Sequence, residues 1–346
     1  MEFLWNTLQN TRRPIVMYGM GNGGDRLLDI CQSKGLFAAD IFASDGFVRG
    51  HSFRGYKVKS LTEIEAAYEE FIILLAFGTS RPDVMNMLKT LSQKHTLLAP
   101  HMPVFGNTLF DEAWFSEHRS AFDELCDLLA DEQSKATLKN LIDYMITGEI
   151  SPLFDCMTSE EEAVSLLQLT DAETYVDGGA YNGDTVASFV KTVSDKYSHI
   201  YAFEPDGKSC KKLVKRTEDT SVDRITLFNK GLWSGEDMLS FESKAARGSA
   251  LSPNGGAVPV TSLDNALGNV PVSYLKLDVE GAEREALLGA ENILKTHKPK
   301  LNIALYHRTE DIITLPFLIR KIRPDYRFYL RKHPSLPMWD VNLYGV

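Results

Sequence analysis

Basic residues are in short supply in this sequence: 37 lysines and arginines stand against 47 aspartates and glutamates, a net charge of −10. A nucleic-acid partner demands a basic face to neutralise phosphates, so that class of function is not expected. Cysteine is scarcer still. Cys31, Cys126, Cys156 and Cys210 are widely scattered, with no CxxC pair and no histidine at zinc-binding spacing. That excludes a disulfide framework and a structural zinc site, and free thiols in a reducing, cytoplasmic setting are expected. Long hydrophobic runs are missing as well. The longest, Phe71 to Phe77, falls far short of the ~20 residues that a membrane-spanning helix needs. The opening MEFLWNTLQNTRRP has no apolar core of signal-peptide length.

What is present is an ordinary globular composition, 44% hydrophobic over 346 residues, enough to build two cores. The first begins with PIVMYGMGNGGDRLLDICQSKG, residues 14 to 35. It reads as a strand at Ile15–Tyr18, a turn carrying Gly19, Gly21, Gly23 and Gly24, and an amphipathic helix stopping at Gly35. A second strand, Asp40 to Ala43, places Asp45 where a dinucleotide-binding fold keeps its ribose-binding acid. FIILLAFG gives a third strand, and Pro82 opens the helix after it. Alternating strands and helices imply a small, doubly wound parallel sheet over residues 1–105. Gly19-Met20-Gly21-Asn22-Gly23-Gly24 satisfies G-x-G-x-x-G, a weak signal by itself. The glycines serve either close strand-to-helix packing, in a domain that orients the enzyme or joins two copies of it, or a second nucleotide site.

Leu125, Leu128, Leu129, Leu138, Leu141 and Ile142 recur at helical intervals, so residues 106–162 read as a helical connector, with ISPLFD as a turn. The second α/β domain, 163–346, starts at ETYVDGGAYNGDT. Asp184 or Thr185 can cap its first helix. Strands are expected at HIYAFEP, at Ile225–Leu232, at Val272–Val279 and at KLNIALYH, with a helix over Ala282–Lys295. The last two strands, YRFYLRKH and MWDVNLYGV, are joined by PSLP, a link too short for a parallel crossover, so they should pair antiparallel. A mostly parallel sheet ending in an antiparallel pair is a Rossmann-like methyltransferase sheet.

YVDGGAYNGDT, YAFEPD, KGLWS, YLKLDVEGAEREALLGA and LYHRTEDI resemble the FkbM family of S-adenosylmethionine-dependent methyltransferases. The likeness covers Thr174 to Val346, and KLDVEGAE is its most specific string. The N-terminal half is similar to small Rossmann-like domains attached to some members. The resemblance implies methyl transfer from S-adenosylmethionine, typically to a hydroxyl oxygen of a sugar or polyketide. A small-molecule or carbohydrate acceptor is therefore expected.

The residues fit the same ligand. The Gly178/Gly179 turn lets backbone approach a cofactor, and Asp177 before it could meet the cofactor's ammonium. Glu204, ending the adjacent strand, can accept both ribose hydroxyls. Asn229 to Leu232 would flank the adenine, and Gly183, Thr185 and Gly231 complete the cofactor side. Ligands bind beyond the carboxyl ends of such strands, which puts Asp278 and Glu280 at the pocket mouth, Asp278 touching cofactor as well. Lys276 is a partner for one of these acids, and Glu283 suits the first turn of the next helix. Asp278, Glu280 and His307 are candidate bases for the acceptor's proton, His307 also being open to a structural role. Asp278 and Glu280 could instead share a divalent cation with another oxygen ligand, but no metal is assigned. Arg247–Gly256 reads as a loop over the acceptor, with Ser249 near the ligand. Two rival functions remain: a nicotinamide-dependent oxidoreductase using Gly19 to Asp45, and a nucleotide-binding protein without catalysis.

Overall fold

Buried β-branched and aliphatic runs become the strands of two sheets in this computed structural model, which describes residues 1–48, 50, 52–242, 250, 251 and 256–346. The N-terminal sheet comprises β1 (Ile15–Tyr18), β2 (Asp40–Phe42), β3 (Ser52–Phe53), β4 (Tyr56–Lys59), β5 (Ile72–Leu75) and β6 (Thr96–Leu98). Their order is β3-β4-β2-β1-β5-β6, parallel except for the β3–β4 hairpin. Helices α1 (Leu4–Asn10), α2 (Asn22–Ser33), α3 (Leu61–Ala67) and α4 (Pro82–Lys94) accompany it. The glycine turn is shorter than its sequence suggests. Gly23 and Gly24 lie inside α2, because a Cβ on Gly23 would sit 2.1 Å from the Ala76 carbonyl oxygen just past β5.

Four helices follow: α5 (Glu112–Leu128), α6 (Glu132–Thr147), α7 (Ser151–Asp155) and α8 (Glu160–Ser165). The ISPLFD segment is thus a helical turn with Pro152 in its first turn, not an open bend. Asp131 caps α6 by accepting from the Ser134 amide at 2.8 Å, and Gly148 ends it in the left-handed conformation. Asp131 also pairs with Arg331 at 2.6 Å, fastening α6 to the far sheet.

The second sheet has seven strands in the order β16-β17-β15-β14-β7-β8-β9. In chain order the elements are β7 (Thr174–Gly178), α9 (Asp184–Thr192), β8 (His199–Phe203), α10 (Gly207–Asp219) and β9 (Ile225–Phe228), followed by β10 (Gly231–Leu232), β11 (Asp237–Glu242), β12 (Ala250–Leu251) and β13 (Gly256–Thr261). After α11 (Leu263–Leu267) come β14 (Tyr274–Leu277), α12 (Glu283–Leu288), α13 (Glu291–His297), β15 (Lys300–Ala304), α14 (Asp311–Ile322), β16 (Phe328–Lys332) and β17 (Val341–Gly345). β17 pairs antiparallel with both β15 and β16, and the remaining pairs are parallel. The mixed α/β architecture with its terminal antiparallel pair is the one expected.

Two expected elements break where tertiary contacts intervene, and one expected cap is not made. The strand expected over Ile225–Leu232 divides at Asn229, whose side-chain amide donates to the carbonyls of Glu204 and Pro205 at 2.8 and 3.1 Å. β10 then joins a separate four-stranded sheet with β11, β12 and β13. The single helix expected over Ala282–Lys295 is two, because Gly289 packs where a Cβ would meet the Trp233 carbonyl at 2.0 Å. Asp264 re-starts the second by accepting from the amides of Asn292 and Ile293. Neither Asp184 nor Thr185 caps α9: Gly183 stands at its N-cap in the left-handed conformation. The Thr185 hydroxyl donates to Asp177 instead.

One apolar core runs through both halves. It joins Val16, Phe42 and Ile73 to Leu125, Leu141 and Tyr144, and those to Leu275, Ile303 and Leu343. The terminal aromatics belong to the buried interior, Phe328 and Tyr344 being at most 1% exposed.

Candidate active site

A cavity of ≈ 560 Å³ opens beyond the carboxyl ends of β7, β8 and β14, the usual ligand position in an open α/β sheet and a usual ligand volume. The β7 end is shaped by Gly179. Its φ of +80° is left-handed, and a Cβ there would lie 1.9 Å from the Asp278 carbonyl. Only glycine lets the two loops approach so closely.

Glu204 follows β8 and is 6% exposed. Its carboxylate accepts from the amides of Tyr181 at 2.8 Å and Asp206 at 2.7 Å. Burial nevertheless dominates and pushes the carboxyl up to about 7. Leu232, Val258 and Val260 supply an apolar wall on the same side.

Asp278 and Glu280 also line the cavity, next to the Gly179 turn, and Tyr306 donates to Asp278 at 3.1 Å. Glu280 holds a φ of +56°, a conformation that side chains other than glycine adopt at a cost and that clusters at functional sites. His307 lies three residues past β15, fully buried, and is not part of the lining. Its Nδ1 is 2.9 Å from Glu283, and its Nε2 faces Asp278 and Glu280 at 3.4 and 3.6 Å. Burial works against a charge on the ring, but Glu283 first, then Asp278 and Glu280, overcome it and push the imidazole up to about 10. Glu283 thus stands in the first turn of α12 and is also a buried partner of His307.

Of the residues read from the sequence as cofactor-binding, Gly179, Thr185, Glu204, Gly231 and Asp278 line the cavity. Asp177, Gly178 and Gly183 do not. Asp177 lies beneath the floor, fully buried, with Lys276 Nζ at 3.0 Å and the Thr185 hydroxyl as partners. Gly178 packs against Leu277 and Leu232. Gly183 starts α9. Asn229 is likewise outside the lining, whereas Lys230, Gly231 and Leu232 are within it. Ser249 lies outside the described residues, as do residues 247, 248 and 252–255 of the same loop.

The sequence reading missed other walls. Val258 and Val260 arrive on β13, from a stretch whose polar neighbours hid it. Ser80 comes from the N-terminal half, and His333, Asp340 and Asn342 from the terminal strand pair. Tyr181 sat inside the quoted YNGD motif, and its signal is the left-handed φ of +45°.

The family comparison concerns the C-terminal half of the chain. Residues 177–328 match the model of the methyltransferase FkbM domain. That segment, under half of the chain, is similar to the FkbM methyltransferase domain. A solved methyltransferase FkbM from Methylobacillus flagellatus KT superposes with a TM-score of 0.77 at 23% identity, covering 99% of this chain and 92% of that one. Both halves of the fold are thus shared with it. An rRNA methylase from Streptococcus thermophilus gives a TM-score of 0.37 at 19% identity, over 55% of this chain and 96% of its own. No curated protein matches the sequence. Among the described residues, no helix is long and apolar enough to cross a membrane.

The donor set suits the cofactor. Glu204 offers oxygen acceptors for a diol, the Leu232–Val260 wall offers an apolar face, and the carboxylates of the lining favour a cationic guest.

Proposed function

We propose that this FkbM-like domain methylates a hydroxyl oxygen of a sugar, or of a glycosylated or polyketide-type acceptor. The observation that carries the reading is one cavity whose lining brings together Gly179, Glu204, Asp278 and Glu280. On this reading Glu204 holds the ribose, while Gly179, Thr185 and Gly231 shape the donor's berth. Bound there, S-adenosylmethionine supplies an electrophilic methyl group on a sulfonium.

The chain contributes alignment first. Well-oriented reactants can gain about 7–11 kcal/mol over free encounter. Asp278 and Glu280 orient the acceptor hydroxyl by accepting its hydrogen bond, and a free oxygen of Asp278 takes its proton as the new bond forms. Tyr306 steadies Asp278. His307 stands behind Asp278 and Glu280 and is not in the lining, so on this reading the proton goes to Asp278. Asp340, Asn342 and His333 give the acceptor end further hydrogen-bonding groups, in keeping with a polyhydroxylated guest.

Rival functions have less support. Gly23 serves close packing against Ala76, which favours a bracing role over a dinucleotide site for residues 1–105. The test is to incubate the protein and cell extract with ¹³C-methyl donor and identify the labelled product by mass spectrometry and carbon NMR. An O-methyl product is expected. Label on nitrogen or carbon would overturn the acceptor chemistry.

A further inference from the structure

The acids at the end of β14 surround a histidine nitrogen for which ordinary hydrogen bonding does not account. His307 Nδ1 faces Glu283 Oε1 at 2.9 Å, and that oxygen also accepts from the Val279 amide at 2.8 Å. The ring is thereby fixed from behind. Its other nitrogen, Nε2, is buried and, like Nδ1 and Glu283 Oε2, makes no hydrogen bond of ordinary geometry. It lies 3.4 Å from Asp278 Oδ1 and 3.6 Å from Glu280 Oε2. Those separations are long for N–H···O bonds. They are close to the spacing of ligand atoms around a small cation, about 3.0–3.4 Å when each stands ~2.1 Å from the ion. Asp278 and His307 belong, with Glu283 in place of Glu280, to a set of ligand atoms that all fall within 4.8 Å of one another.

We propose that His307 Nε2, Asp278 and Glu280 bind a divalent cation at the acceptor end of the cavity, with Glu283 orienting the imidazole from its far side. A carboxylate on the non-ligating nitrogen is the usual support of a metal-bound histidine. One nitrogen and two carboxylate oxygens suit Mn²⁺ or Zn²⁺ better than the all-oxygen preference of Ca²⁺. Ion binding displaces the ring proton. Because Asp278 and Glu280 line the cavity, the ion keeps coordination positions open towards it. The inference deepens the hydroxyl reading and rests on it for its chemistry. An acceptor oxygen on the ion loses its proton more readily, the proton passing to water or to the second oxygen of Asp278. From the sequence no metal was assigned, and the third ligand was sought among oxygens. The structure supplies a nitrogen.

The test uses the whole protein, stripped with a chelator and titrated with Mn²⁺ alone under electron paramagnetic resonance. One tightly bound Mn²⁺ per chain is expected, with a ¹⁴N coupling in the pulsed spectrum from the ligating imidazole. His307→Gln should abolish that coupling. Because His307 is buried and that variant can misfold, Asp278→Asn and Glu280→Gln form the second arm. Each should weaken Mn²⁺ binding at least tenfold while keeping a wild-type melting curve. Binding without nitrogen coupling, or equal binding by wild type and the Asp278→Asn/Glu280→Gln double variant, overturns the site. These measurements need no acceptor. Mn²⁺ binding with nitrogen coupling alongside transfer to nitrogen would leave the ion site standing and sink the hydroxyl reading.

Discussion

Lys276 Nζ lies 3.0 Å from Asp177 Oδ1, and the two residues are register partners on β14 and β7. Neither side chain is more than 10% exposed. Burial opposes the lysine's charge, but Asp177 and then Asp278 hold its pKa above the ordinary value. The pair braces the floor of the cavity where both sheet ends meet. Removing one member strands a buried charge, which typically costs 3–5 kcal/mol. Lys276→Met should lose about that much in urea unfolding, and Lys276→Met/Asp177→Leu should recover most of it. A single variant within about 1 kcal/mol of wild type would show that the charges are already relieved by water.

Gly179 makes a second, purely steric demand. Alanine there must hold a left-handed φ and push the Asp278 carbonyl away from 1.9 Å. Gly179→Ala should weaken S-adenosylhomocysteine binding at least tenfold by calorimetry, about 1.4 kcal/mol or more. Gly207→Ala is the control, since its Cβ would meet nothing nearer than Asn229 Oδ1 at 3.9 Å. Equal binding by the two variants would mean that the loops at 179 and 278 yield freely.

Strands β1, β5, β7 and β14 were legible because both faces of each are covered, so their sequences are near-continuous apolar runs. Asp278 and Glu280 were legible for a related reason: acids directly after such a run must lie at its carboxyl end. Distant contacts left no local trace. Nothing around Asn229 announces that its amide reaches the Glu204 carbonyl and diverts the strand. Nothing around Gly289 announces Trp233. His307 was located near the correct strand end, yet its burial depends on Glu283 and on Phe105, whose amide donates to the His307 carbonyl at 2.8 Å from far away in the chain.

Glu204 gives the protein a pH signature. Burial raises its folded-state pKa from 4.5 to about 7, so between those values the folded chain holds a proton that the unfolded chain has released. Stability of the ligand-free protein from this group is therefore greatest below pH 4.5 and declines as pH rises towards 7, by about 3 kcal/mol. Binding runs the other way, because only the carboxylate accepts both ribose hydroxyls. S-adenosylhomocysteine affinity should rise about tenfold from pH 6 to pH 8. Glu204→Gln should flatten both profiles. A binding profile of the variant that keeps the wild-type slope would remove Glu204 from the ribose site.

Arg26, on α2, reaches the loop after β14 at one remove. Its guanidinium donates to the carbonyls of Pro103, Val104 and Gly106, the last at 2.7 Å. That segment carries Phe105, whose ring packs where a Cβ on Gly281 would meet it at 2.7 Å, and Gly281 follows Glu280 directly. If the N-terminal half braces the acceptor end, Arg26→Ala should lower kcat about tenfold, since small misplacements of reacting groups are costly. S-adenosylhomocysteine affinity should stay unchanged, and Arg26→Lys should restore part of the rate. A dinucleotide should leave the wild-type melting temperature where it is. Dinucleotide stabilisation that Arg26→Ala abolishes, with kcat untouched, would instead make the glycine turn a working nucleotide site.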